Sequence, residues 1–415
     1  MHVFLCGYEL GTDDATVNCC YAIEECLRDG DQIVVTSPNE SCSIALQLVL
    51  PPDNRIQYQT NRRCISKDDL LVFNILRAIG QQAEVNRLTF FDGENRAELS
   101  TDLERVRRLQ NQLEGLASSL RVNRIERAEL LATMARKTLL DFSGSYVSLV
   151  YERLGAVTIL IDTYRTRYYA SLPSNDSALI YSKKNPIECW VDFFATINPA
   201  GKTISHSWPE IAVDQKRIQD FYADGMHALS NDLTSLKRGN RLRLLTLLWL
   251  AAYFVRKCEY YIVLEDGASA IALAVRVLET YLHFRLYELG LMELDPMTKK
   301  LVPASAAHGR FRGAGDGVKD CLRVLVTERQ FSGIDCSQVE MVIHLRNRSA
   351  ITHGVQRLEG SVVRAALGYV KSFITNVENV TPNVGGRWAN LIASSFAVDW
   401  AKTWERAFSP LLELS

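Results

Sequence analysis

None of the ten cysteines (Cys6, Cys19, Cys20, Cys26, Cys42, Cys64, Cys189, Cys258, Cys321 and Cys336) belongs to a Cys-x-x-Cys pair. Without that spacing a zinc ribbon or a dithiol redox motif has no framework. Most of these cysteines have apolar neighbours, so they read as reduced, buried thiols of a cytosolic protein rather than as metal ligands or disulfides. A surplus of basic charge is also missing. A net charge of -1 over 415 residues excludes a protein that wraps nucleic acid through its overall charge, because counterion release needs clustered Lys and Arg. The opening MHVFLCGYEL has no basic n-region and meets a glycine early, so no signal peptide is expected. The most apolar window, LRLLTLLWLAAYFV at 242–255, is too short and too flanked by arginine to span a bilayer, and no membrane partner is expected. There is no GxGxxG, no P-loop lysine and no internal repeat, which argues against an ordinary dinucleotide or ATP site.

A length of 415 residues points to two or three domains. In the first third, short runs rich in Val, Ile, Phe and Tyr (2–8, 32–37, 55–59, 87–91 and 156–162) alternate with helical patterns. One such helix is ATVNCCYAIEECLRDG, where Val17, Tyr21, Ile23 and Leu27 are expected inward and Glu24, Glu25 and Arg28 outward. Strands of this kind predict a mostly parallel, Rossmann-like α/β sheet whose ligands gather at the strand carboxyl ends. Two segments suit that place. In GYELGTDD, Gly7 and Gly11 let the backbone approach a ligand, Tyr8 can stack on a base and Thr12 is placed to cap the next helix. In LLDFSGSYVSLVY, Ser143, Gly144 and Ser145 follow an apolar run and an acid; a plain helix-to-helix turn is the competing reading.

Residues 94–138 read as a charged helical insertion with solvated faces. The Pro-, Gly-, Asn- and Ser-rich stretch 163–240 contains the domain boundary. The expected division is a Rossmann-like domain over 1–175, a connector over 176–240 and an all-helical bundle over 241–415. Within the last, Ile271, Val275, Leu278 and Leu282 follow the helical period across a segment without Pro or Gly.

Between two apolar stretches lies LRNRSAITHG (345–354). Arg346 and His353 are seven residues apart, and seven helical steps of about 100° return to within about 20° of the same face. Arg348 is offset from that face, and Asn347 can bond the local backbone or a phosphate oxygen. A guanidinium that holds a phosphate and a histidine that exchanges a proton with a 2'-hydroxyl or a leaving 5'-oxygen suffice for RNA cleavage without a metal. One helix supplies one Arg and one His, so a two-fold pair of chains is expected to complete the site.

The run LRNRSAITHG, following the long helix AIALAVRVLETYLHFRL with Arg276 and Glu279 and the segment GAGDGVKDCLRVL, resembles the HEPN ribonuclease domain, whose signature is Arg, four to six residues, then His. With a Rossmann-like half ahead of it, the chain resembles the CRISPR-associated CARF-HEPN ribonucleases of type III systems. The resemblance covers residues 241–375 and is looser over the N-terminal half, where Asp141, Ser143, Gly144 and Ser145 overlie the ligand loop with Gly144 at a position that a histidine can hold. It implies an allosteric endoribonuclease that cuts single-stranded RNA without metal or cofactor. Arg346, Asn347 and His353 would be its catalytic residues. A cyclic oligoadenylate would bind at Gly7, Tyr8, Gly11, Thr12, Ser143, Gly144 and Ser145, and the chain would act as a homodimer. A HEPN toxin with a different sensor and a non-catalytic helical scaffold are the alternatives.

Overall fold

Four of the short apolar runs form strands: β1 (His2–Cys6), β2 (Ile33–Ser37), β3 (Ile56–Thr60) and β4 (Arg87–Asp92). The computed structural model describes residues 1–6, 13–92, 95–165, 191, 194, 204, 208–298, 300–312, 317–327, 336–349, 358–380, 387–394 and 398–413. Strand order is β3-β2-β1-β4-β5, with parallel pairing except for the polar edge strand β5 (Asn95–Glu98), which runs antiparallel to β4. His2 of β1 aligns with Ile33 on one side and Arg87 on the other. Every residue of β1 and β2 is buried, as expected where helices cover both faces of a parallel sheet.

Helices α1 (Asp13–Arg28) and α2 (Glu40–Val49) share a core with Phe4, Cys6, Ile33, Val35 and Ile56. The inward face of α1 matches the expectation at Ile23 and Leu27, both buried, but not at Val17 and Tyr21. Val17 and Tyr21 are 40% and 67% exposed, whereas Ala15, Cys19, Ala22, Ile23 and Cys26 are buried. Small residues and thiols let this helix lie close to the sheet, and thiols pack as small apolar groups. α3 (Lys67–Gln81) opens with a capping box at Ser66 and bonds β2 through Thr36 Oγ1 to Asn74 Oδ1 at 2.9 Å.

The charged stretch after β5 forms a helical hairpin, α4 (Ser100–Arg121) and α5 (Ile125–Leu139). It is built into the fold: α4 packs on α3 and β4, and the α5 face that includes Ala128, Ala132 and Ala135 is buried. Residues 156–162, expected as a strand, belong to α6 (Ser145–Tyr164). Tyr146, Val150, Leu154, Val157 and Ile161 are buried along one helical stripe there, and the β-branched run alone could not distinguish helix from strand.

The chain divides into two units, the first comprising Met1–Ile161, Thr203–Ala212 and Asp399–Ser415 and the second Asp162–Lys202 and Val213–Val398. This differs from cuts at 175 and 240 because the last helix, here α14 (Trp400–Leu412), packs on α3 and α4. Pro410 within α14 has no N–H to give the carbonyl of Arg406. Arg153 of α6 donates to that carbonyl at 3.4 Å while stacking 3.9 Å over Trp208 and pairing with Glu210 at 3.4 Å.

The second unit is mostly helical. Its described elements are α7 (Pro209–Lys237, which starts in the first unit), α8 (Leu245–Val263), α9 (Gly267–Glu288), a short ribbon of β6 (Met292–Leu294) and β7 (Leu301–Pro303), a 3-10 turn (Ser305–Arg310), α10 (Val318–Thr327), α11 (Ser337–Arg348), α12 (Gly360–Val380) and α13 (Arg387–Ser394). The ribbon departs from the all-helical expectation. α9 is central, packing on α8, α10, α11 and α12. Gly225 of α7 faces the Trp249 ring of α8 so closely that a Cβ would lie 2.4 Å from it. α8 has no side-chain cap of its own; the buried Asp232 caps it by accepting from the amides of Leu244 and Thr246 at 3.0 and 3.3 Å.

Candidate functional site

Arg346 is placed by the packing of α11. Val339, Val342 and Ile343 are buried and face α9 and α12, and Arg346 continues that stripe one turn further, half-buried. Asn347 and Arg348 are exposed beside it. α11 stops at Arg348, where Ser349 turns extended (φ -69°, ψ 155°) and both its amide and its hydroxyl return to the Arg346 carbonyl, at 3.1 and 2.8 Å. The condition for a common face, one helix running unbroken from Arg346 to His353, is therefore not met, since the helix ends at Arg348. His353 lies outside the described residues. Two arginines in the last turn also complement the negative end of the helix dipole, a structural role open to any such helix.

On α9, Arg276 and Glu279 form an ion pair at 2.6 Å with Glu279 buried. Deeper in this unit Tyr281 donates to Glu378 of α12 at 2.8 Å, and burial raises the carboxyl of Glu378 above its usual range. Arg285, 1% exposed, pairs with Glu288. The Tyr281–Glu378 bond ties α9 to α12, the two helices against which α11 is seated, while both ion pairs lie within α9.

In the first unit the strand order reverses between β1 and β4, and a sheet of this kind receives ligands in the crevice at the carboxyl side of that switch point. The chain leaves β1 at Cys6 directly into Gly7, Tyr8, Gly11 and Thr12, which lie outside the described residues. The other predicted segment, Ser143–Ser145, is not a strand end. It is the turn between α5 and α6, and its groups are largely engaged within the protein. Ser143 donates from its amide and hydroxyl to Asp68 at 2.8 and 3.2 Å, and Ser145 from its hydroxyl to the Arg63 carbonyl at 3.3 Å. The buried Asp69 accepts from the amides of Tyr146 and Val147 at 2.8 and 3.0 Å, so a side chain of α3 caps α6. Gly144 has φ +139°, and a Cβ there would lie 2.1 Å from Asp69 Oδ1. Only glycine fits this turn.

Hydrophobic periodicity gave no sign of the polar groups that do gather at the carboxyl ends of β2 and β3. Ser37, Ser43 and Thr60 form a hydroxyl row with spacings of 3.1 Å. Beside it Gln59 and Asn61, 4% and 1% exposed, keep the whole Gln59 amide and the Asn61 Nδ2 without hydrogen-bond partners. Buried amides left so are uncommon unless water or a ligand meets them. The nine described cysteines are free thiols, eight of them buried. Among the described residues one group could hold a metal, His2 with Cys26 and Asp31, also in the first unit. No helix in the described residues is long and apolar enough to cross a membrane. Compared with known proteins, the chain matches no family and no curated protein.

Proposed function

We propose that this chain is a metal-independent endoribonuclease of the HEPN kind, cutting single-stranded RNA as a homodimer and activated by a cyclic oligoadenylate, in the manner of the type III CRISPR-associated CARF-HEPN ribonucleases that it resembles. The observation that carries the reading is the run from Arg346 to His353, with Arg346 half-buried and Asn347 exposed at the end of a helix fixed by its neighbours. In the proposed reaction the 2'-oxygen of the substrate attacks the adjacent phosphorus and loses its proton to a base. The 5'-oxygen leaves with a proton, and a 2',3'-cyclic phosphate results. Arg346 holds the phosphate, Asn347 bonds one of its oxygens, and His353 carries a proton near neutral pH. Two chains supply two such sets.

The receptor half of the proposal rests on the first unit. Gly7, Tyr8, Gly11 and Thr12 follow β1 in the sequence, β1 borders the switch point, and the unpartnered Gln59 amide and Asn61 Nδ2 lie at the carboxyl end of the sheet. The internal bonding of Ser143–Ser145 instead favours a second reading, a HEPN ribonuclease whose sensor takes another ligand. Cleavage of a labelled single-stranded RNA separates the two. Wild type is expected to cut without Mg²⁺ or Mn²⁺, faster when a cyclic tri-, tetra- or hexa-adenylate is added, and His353→Ala to be slower by roughly 10² or more with unchanged circular dichroism. An excess of His353→Ala chains mixed into wild type is expected to depress the rate beyond dilution. Cleavage lost on chelation and restored by Mg²⁺ would overturn the metal-free chemistry. Cleavage indifferent to every cyclic adenylate would leave the second reading.

A further inference from the structure

At the amino ends of β1 and β2, opposite the proposed ligand crevice, three residues distant in sequence converge. The imidazole of His2, the thiol of Cys26 and a carboxylate oxygen of Asp31 all lie within 4.8 Å of one another. Local chemistry sets each in place. His2 begins β1 and is held by pairing to β2 and β4. Cys26 stands in the last turn of α1. That helix ends at Arg28 and is closed by Gly30 (φ +85°), with the Gly30 amide on the Leu27 carbonyl at 3.1 Å and the Asp31 amide on the Cys26 carbonyl at 3.2 Å. This is a Schellman turn, and it fixes Asp31 beside Cys26.

The pointer to a ligand is His2. It is 2% exposed, its ring stacks on Phe4 at 4.3 Å, and Nε2 lies 2.8 Å from Thr89 Oγ1. Nδ1 has no hydrogen-bond partner and faces Asp31 Oδ2, also without one, across 3.6 Å. That gap is long for a hydrogen bond, but it is close to the roughly 3.3 Å between two ligand atoms held near 2.0 Å on one tetrahedral ion. Donation from Nε2 to Thr89 would leave the Nδ1 lone pair directed into the group, the arrangement in which a second hydrogen bond orients a ligating histidine.

We propose that His2 Nδ1, Cys26 Sγ and the Asp31 carboxylate bind one Zn²⁺ ion, with the fourth position open to water. Mixed N, S and O donors suit zinc. Binding requires Cys26 to release its proton; burial pushes the thiol above its usual range, and the charges of Arg87 and Arg96 offset this only in part. Arg87 lies 3.7 Å from Asp31 Oδ2 as well as 3.2 Å from Glu98, so the ion, balanced by Cys26 and Asp31, would take the place of Arg87 at Asp31 and leave it to Glu98. The ion would join the start of β1 to the end of α1 and the turn into β2.

The test uses the full chain, stripped with chelator and titrated with Co²⁺ and then Zn²⁺. Wild type is expected to bind one Co²⁺ with a thiolate-to-cobalt charge-transfer band, to lose the band to Zn²⁺, and to melt at a higher temperature with Zn²⁺. Cys26→Ser should abolish the band and weaken Zn²⁺ binding by roughly 10² or more. Asp31→Asn, at a half-buried turn position and so independent of whether Cys26→Ser folds, should lose most of the Zn²⁺-dependent rise. The absence of a band in wild type would overturn the proposal. So would a band of equal strength in Cys26→Ser, which would assign the metal to other thiols, or an equal Zn²⁺-dependent rise in Asp31→Asn.

Discussion

The turn at Ser143–Ser145 and the helix end at Arg346–Ser349 look alike as sequence, each a few small or polar residues next to charge, yet the fold treats them oppositely. In the first, serine hydroxyls and backbone amides are bonded to Asp68, Asp69 and Arg63, and a glycine is required by close approach. In the second, Ser349 turns inward to the backbone, while Asn347 and Arg348 face solvent. Polar groups that complete one another's hydrogen bonds are fold-forming, and exposed ones beside a fixed scaffold are available to a substrate.

The strongest way to break this contrast is at Asp69. Asp69→Ala would leave two amides at the start of α6 without their acceptor and should lower stability by about 3 kcal/mol or more in urea unfolding. Gly144→Leu should be at least as damaging because its side chain meets Asp69. A variant at either position that unfolds within about 0.5 kcal/mol of wild type would show that the turn is not the packed element described.

His2 is an intermediate case, with one ring nitrogen engaged and the other facing an acceptor. Its folded pKa, about 4, lies below the usual 6.5, so the unfolded chain takes up the proton first. This contribution to stability is complete above pH 6.5 and is lost as pH falls through 6.5 toward 4, amounting to about 3 kcal/mol for a pKa lowered from 6.5 to about 4. Denaturant midpoints of the metal-free protein across that window should show the loss in wild type and a flatter dependence in His2→Gln. Parallel curves would contradict the buried neutral imidazole.

Arg153→Met keeps the stem that packs near Trp208 but removes the donor to the Arg406 carbonyl. A loss of about 1–2 kcal/mol is expected, measured by thermal or urea unfolding, and no change would mean that water serves that carbonyl equally well. The smallest effect on stability is expected at the other member of the comparison. Asn347→Ala should stay within about 0.5 kcal/mol of wild type while slowing RNA cleavage. A large stability loss there would recast the end of α11 as structural.

The chain's local pattern was enough for four parallel strands, helices between them and the long amphipathic helices of the second unit, because a strand or helix that must bury a face repeats its apolar residues at a fixed period. It also marked Arg346 and Asn347, which are adjacent and need no tertiary contact to be noticed. Periodicity failed where two structures share one pattern, as in the β-branched run 156–162, or where thiols and alanines replace larger apolar groups, as on α1. Only the tertiary structure decided that α11 ends at Arg348, that the last helix joins the first unit, and that Asp69 and Asp232 cap helices distant in sequence. Only it brought His2, Cys26 and Asp31 together. Hydrogen-bond partners and ligand sets are fixed by distance in space, and sequence separation carries almost no information about that once the chain has folded back on itself.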